Sequence, residues 1–146
     1  MSDSDDPHSL QRFVVAQEEV YAAALADLRR GRKEGHWMWF IFPQIDGLGR
    51  SETAKFFALK SRAEALAYLQ HKTLGARLTA CAEALLSVEG RSAHEILGSP
   101  DDLKLHSSMT LFAALAGRGY VYQAVLQRYF AGRPDARTLE IMAGRR

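Results

Sequence analysis

Asp101, Lys104 and Ser108 stand three and four residues apart, the spacing that stacks side chains on one face of a helix. A carboxylate, an ammonium and a hydroxyl are therefore expected to converge there, a group able to hold a polar substrate or to polarise a water. Ser107 and Thr110 add hydroxyls to the same stretch, and hydroxyl residues inside helices favour caps or polar contacts. The second chemistry-bearing stretch runs from His36 to Ser51, where Trp37, Trp39, Phe40 and Phe42 lead into Pro43-Gln44 and a glycine-containing turn. Gly47 and Gly49 let the backbone approach a ligand closely, Arg50 is suited to bidentate contact with an anion, and Ser51 lies at a positive helix end. The candidate catalytic carboxylates are Asp101 and Glu52. His36, Trp37, Trp39, Gln44, Arg50, Ser51, Lys104, Ser107 and Ser108 are the candidate ligand-binding residues. Each stretch also has a plainer reading: an aromatic core segment with a capped turn, and a solvated helix start whose Asp101–Lys104 pair is worth a few tenths of a kcal/mol.

Other chemistries find less in the sequence. The five histidines form no H-x-H or H-E-x-x-H pair, and a single cysteine cannot build a structural zinc site, so neither metal nor cofactor is expected. G-x-x-x-x-G-K-[ST] and G-x-S-x-G are both absent. Cys81 falls on an apolar helix face, where a buried hydrophobe is the expected role.

The elements that must position these residues are helical. Asp6-Pro7 has the form of a cap with proline at the first helical position, and Leu10, Phe13, Val14, Gln17, Val20, Tyr21, Ala24, Leu25 and Leu28 continue as one amphipathic helix closed by Gly31. Arg29, Arg30, Arg32 and Lys33 at its end read as cations on the negative helix terminus, with a phosphate or partner site as the alternative. Trp37 to Phe42 is a short buried piece, irregular or helical. Ser51 caps a helix carrying Ala54, Phe56, Phe57 and Leu59. Ser61 with Glu64 and Ser92 with Glu95 have the spacing of capping boxes, the first opening a helix with Leu66, Ala67 and Leu69 inward. A helix through Leu74, Leu78, Cys81 and Leu85 lies between them. Ser99-Pro100 repeats the cap-plus-proline pattern before a helix that turns Leu103, Met109, Leu111, Phe112 and Leu115 to the core. Helices through Val121–Phe130 and from Asp135 to Met142 complete the chain. No stretch alternates long enough to require a sheet. The expected fold is all-α, a compact single-domain multihelical fold with an aromatic central segment, spanning 9–146 behind a flexible acidic tail over 1–8.

Composition agrees with that reading. The 146 residues are 47% hydrophobic and 25% charged, the profile of one globular domain. Nineteen basic against 17 acidic residues leave a formal charge of +2, too mild to point to nucleic acid as a partner. The longest apolar run ends at Pro43 and is far short of a membrane span. Met1 to Asp6 is acidic where a secretory signal is basic and then apolar, so a cytoplasmic location is expected. Nothing here fixes an oligomeric state.

The string His36-Trp37-Met38-Trp39-Phe40-Ile41-Phe42-Pro43-Gln44, followed by Gly47-Leu48-Gly49 and Ser51, resembles the signature of a largely bacterial family, domain of unknown function 1810. Glu64-Ala65, Ala67-Tyr68-Leu69, His71, Leu74-Gly75, Arg77-Leu78, Gly98, Asp101, Lys104-Leu105 and Ser107-Ser108-Met109-Thr110-Leu111-Phe112 continue the pattern. Lys72-Thr73 departs from the proline expected after that histidine. The resemblance implies a compact all-helical fold and carries no established activity. Ser51-Glu52, Phe56-Phe57 and Asp101-Asp102 are also similar to elements of the NADAR proteins, which resemble N-glycosidases acting on ADP-ribose-type groups. The register of Lys60 does not match that family's lysine, so no catalytic role is carried across.

Two functions follow as expectations. The first is a pocket for a nucleotide or ADP-ribosyl-like phosphate compound, with N-glycosidase-type hydrolysis as its chemistry; it requires the two stretches to meet. The alternative is a noncatalytic helical module for a protein or nucleic acid, which requires exposed Trp37 or Trp39 and a basic patch joining Arg29–Lys33 to Arg77, Arg145 or Arg146.

Overall fold

The computed structural model describes residues 6–144, of which all regular structure is helical. In chain order the helices are α1 (Gln11–Glu18), α2 (Tyr21–Arg30), α3 (Met38–Ile41), α4 (Glu52–Phe57), α5 (Arg62–Gln70), α6 (Lys72–Ser87), α7 (Ala93–Leu97), α8 (Asp101–Ala116), α9 (Val121–Phe130) and α10 (Ala136–Ala143). The fold is all-α. Residues 1–5 of the expected tail, and Arg145 and Arg146, lie outside the described residues.

The two sixteen-residue helices, α6 and α8, carry the densest runs of buried side chains. Within α8 every residue from Ser107 to Ala113 is buried, so the helix has no solvent-exposed face there and needs neighbours all round. It packs against α5, α7, α9 and α10, while α6 packs against α1, α2, α3, α5 and α9. Helix α9 thus ties both together. An aromatic chain crosses the interior, with ring centroids 4.9 Å apart for Phe13–Tyr68, 5.7 Å for Tyr68–Phe112 and 5.8 Å for Phe112–Tyr122.

Several starts follow the capping chemistry. Ser51, Ser61, Ser92 and Asp135 each accept a backbone N–H from the third residue on. Ser92 and Glu95 complete a reciprocal box. The Ser61–Glu64 pair does not, because the Glu64 carboxylate turns to the Lys60 N–H and to Arg12, 3.2 Å away. His71 caps α6 through Nδ1, which accepts from Thr73 and Leu74.

Four further expectations are corrected. The first helix is two: the chain breaks at Glu19–Val20 although no glycine or proline marks the place. The first of them starts at Gln11 with Leu10 at the cap position, so Pro7 lies in a preceding turn and not at the first helical position, while the Asp6 carboxylate accepts from the Leu10 and Gln11 N–H groups. Gln17, on the apolar stripe, is buried by donating to the Phe40 carbonyl (2.6 Å) and the Tyr68 hydroxyl (3.1 Å), a tertiary demand that outweighs helix continuity. Ser99 does not cap α8: the Ser99–Pro100 peptide is cis and Pro100 itself occupies the cap position without a side-chain bond. Leu103, Phe56 and Leu66 are exposed, since α8 begins outside the core and α4 and α5 turn other residues inward. Finally, α4 ends at Phe57, and Leu59 instead forms an isolated parallel bridge with Ile45.

Candidate functional site

The loop after α2 is held by one buried carboxylate. Gly31 ends the helix in the left-handed region at φ 73°, where glycine carries no Cβ penalty. Asp27 Oδ2 then accepts from the Glu34 N–H (3.0 Å), the Gly35 N–H (3.1 Å) and the Trp37 indole N–H (2.9 Å), and Oδ1 accepts from Arg30 (2.6 Å). Burial pushes the Asp27 carboxyl up, but those hydrogen bonds and the Arg30 guanidinium outweigh it and hold the group below its ordinary value. The Lys33 N–H is tied to the Ile96 carbonyl at 2.7 Å, which brings that loop to the junction of α7 and α8.

Two lysines converge there on Asp101. Lys33 Nζ lies 2.9 Å from Oδ2 and Lys104 Nζ 3.5 Å from Oδ1. Each ammonium also faces a tryptophan ring, Lys33 at 5.3 Å from Trp37 and Lys104 at 4.9 Å from Trp39. Side-chain exposures of 11%, 17% and 21% for Lys33, Asp101 and Lys104 separate this group from a solvated surface pair. With one carboxylate and two ammoniums it carries a net positive charge.

Beside it, Gln44 Nε2 donates to Ser107 Oγ at 2.6 Å, and Ser107 Oγ donates to the Lys104 carbonyl at 3.1 Å. Gln44 is itself fixed by the bridge: its carbonyl accepts the Leu59 N–H, and the Asp46 N–H returns to the Leu59 carbonyl. Ser108 is fully buried, and its hydroxyl has no hydrogen-bond partner among the described residues. Thr110 is used structurally, donating to the His106 carbonyl and accepting the Asp135 N–H. The His36–Ser51 and Ser99–Thr110 stretches therefore meet through Trp39–Lys104 and Gln44–Ser107.

The remaining candidates sit apart from this contact. Ser51 spends its hydroxyl on the Ala54 N–H. Among the described residues Arg50, Glu52 and His36 are exposed and make no side-chain hydrogen bond or ion pair, and no interaction joins Glu52 or Arg50 to Asp101. Glu52 lines a shallow hollow with Thr53, Lys55, Phe56 and Phe57. Two cavities of about 750 Å³ lie elsewhere, one reaching from Leu66 and His71 to Tyr120 and Tyr122, the other from Arg118 to Pro134. Among the described residues no group of three His, Cys, Asp or Glu side chains is placed to hold a metal ion.

Sequence reasoning placed Lys33 among cations at a helix terminus, with a phosphate or partner site as the alternative, but did not give its partner Asp101, far along the chain. It missed Asp27, whose only signal is that a tryptophan indole N–H buried after the loop needs an acceptor.

Comparison with known proteins adds a family and a structural relative. None of the curated proteins matches the chain. The conserved hypothetical protein Rv1873 from Mycobacterium tuberculosis, known from a crystal structure, is 50% identical, with a TM-score of 0.91 over 94% of this chain and 98% of that one. Among the described residues no helix is long and apolar enough to cross a membrane. The model of the protein family of unknown function DUF1810 matches residues 7–142, and the chain belongs to that family.

Proposed function

We propose that the protein binds a small phosphate-bearing compound of nucleotide or ADP-ribosyl type beside Asp101, with hydrolysis of an N-glycosidic bond as the accompanying chemistry. One observation carries the reading: two mostly buried lysines, Lys33 and Lys104, meet at Asp101 beside the half-buried ring of Trp39. Ammoniums suit phosphoryl oxygens as point charges, and the indole offers a face for a base. Gln44 supplies an amide for a sugar and is held in place by Ser107, whereas the Ser108 hydroxyl is buried. In the hydrolysis the C–N bond breaks with its electron pair leaving on the base nitrogen, and water adds to the anomeric carbon. The Asp101 carboxylate stabilises the positive charge on the sugar and accepts the proton of that water. Glu52, exposed at the start of α4, is the competing carboxylate, and Asp101→Ala against Glu52→Ala decides between them by which loses turnover.

The noncatalytic module has less support. Trp37 is 2% exposed, Arg30 is engaged by Asp27 and Glu34, Lys33 by Asp101, and Arg77 by Gln17 and the Tyr21 ring. A thermal-shift screen of ADP-ribose, NAD, nucleotides and adenosine tests the proposal, because a ligand at a hundred times its Kd adds about 2.7 kcal/mol. Phosphate-bearing compounds raise Tm, adenosine does not, and Lys104→Met loses the shift. No shift with any compound refutes it.

A further inference from the structure

Asp101 bridges the two ammoniums in a particular way: each carboxylate oxygen takes one lysine, Oδ2 facing Lys33 and Oδ1 facing Lys104. Two oxygens of one phosphoryl group would make the same pair of contacts. The lysines arrive from different parts of the chain, Lys33 from the loop pinned to α7 and Lys104 from the first turn of α8, and a tryptophan ring backs each ammonium. Their positions are therefore set by the backbone and the rings as well as by Asp101. A phosphoryl group and the Asp101 carboxylate cannot both hold the same contacts, and with both present their like charges repel.

We infer that Asp101 is an internal occupant of the anion site, a carboxylate that a phosphoryl group displaces from Lys33 and Lys104. This rests on the reading that the site takes a phosphate-bearing ligand, and it adds how the site is regulated. Without ligand both carboxylate oxygens are occupied by ammoniums. When the phosphoryl group takes the lysines, the carboxylate loses its partners beside the bound ligand and becomes available as the base. The exchange makes no covalent bond: two ion pairs are traded for two others, and the carboxylate is released as the anion it already was. Smaller anions that fail to reach both lysines would not release it.

The experiment is calorimetric titration of the intact protein with inorganic phosphate, pyrophosphate, ADP-ribose and adenosine, on wild type, Asp101→Asn, Asp101→Ala and Lys33→Met/Lys104→Met. Circular dichroism confirms that each variant is folded, and the two Asp101 variants stand in for one another should one fail to fold. Removing a carboxylate a few ångströms from the bound anion is expected to tighten binding of the phosphate-bearing probes about tenfold. The lysine variant should lose binding, and adenosine should not distinguish wild type from Asp101→Asn. Binding by Asp101→Asn but not by wild type also supports the inference. Phosphate-bearing probes that bind wild type and bind both Asp101 variants equally or more weakly overturn it while leaving the ligand reading intact. Probes that bind neither wild type nor the Asp101 variants overturn both.

Discussion

Replacing Asp27 tests the structural footing of the Lys33–Trp37 loop. In Asp27→Ala the Trp37 indole N–H and the Glu34 and Gly35 N–H groups lose their acceptor together. Asp27 is 5% exposed, and leaving a buried donor unsatisfied costs about 1–3 kcal/mol. Part of the loop can open to water, so the expected loss is about 3–5 kcal/mol rather than the full sum. Asp27→Asn is predicted to behave differently. Its single oxygen can occupy the position of Oδ2, which serves all three of those donors, and only the Arg30 contact at Oδ1 must go. Arg30 is half exposed, so that contact is worth little, and the loss should be about 1–2 kcal/mol. Urea unfolding followed by tryptophan emission measures both, with a difference between the variants of about 2 kcal/mol in ΔG at unchanged m. The wild-type carboxyl is held below its ordinary 3.8, so its contribution is complete above that pH and is lost as pH falls through the lower folded value. Asp27→Asn should lack this part of the acid loss. Equal costs for the two variants, or a cost for alanine below about 1 kcal/mol, would show that Asp27 does not hold the loop.

Three further outcomes follow from the packing. Gln17→Ala removes two buried hydrogen bonds while the Tyr68 hydroxyl still donates to the Phe40 carbonyl, so neither group is stranded and stability should fall by about 1–2 kcal/mol, read by chemical denaturation. The Cys81 thiol, buried and pushed up to about 12 chiefly by that burial, should be inert to thiol reagents at neutral pH in the native protein and react fully in denaturant. Gly75→Ala reverses the usual gain from alanine in a helix, because the new Cβ would stand 2.2 Å from the Leu69 carbonyl oxygen; a loss of about 3 kcal/mol is expected in thermal or urea unfolding.

Local chemistry made four of the helix starts legible. Ser51, Ser61, Ser92 and Asp135 announce their helices because a side-chain oxygen three residues before a free N–H is a short-range signal. The α1–α2 break and the exposure of Leu103 were not legible, since both follow from what the helices meet in three dimensions. The same division runs through the site. Asp101 and Lys104 share a helix face, so their pairing can be read from spacing. Lys33 and Gln44 come from loops whose course depends on Asp27 and on the Ile45–Leu59 bridge, which no local pattern reveals. Arg50 and Ser51 have the composition of an anion-binding turn, yet α4 directs the Ser51 hydroxyl to its own backbone.

The chain has two tryptophans, one buried and one half-buried beside Lys104, so its own emission reports on the candidate site. Titrating ADP-ribose into wild type, Trp39→Phe and Lys33→Met/Lys104→Met while recording that emission tests the central claim most directly. A saturable change in wild type that is lost in both variants is the predicted result; no change in wild type, or the same change in the lysine variant, contradicts a phosphate-binding site at Asp101.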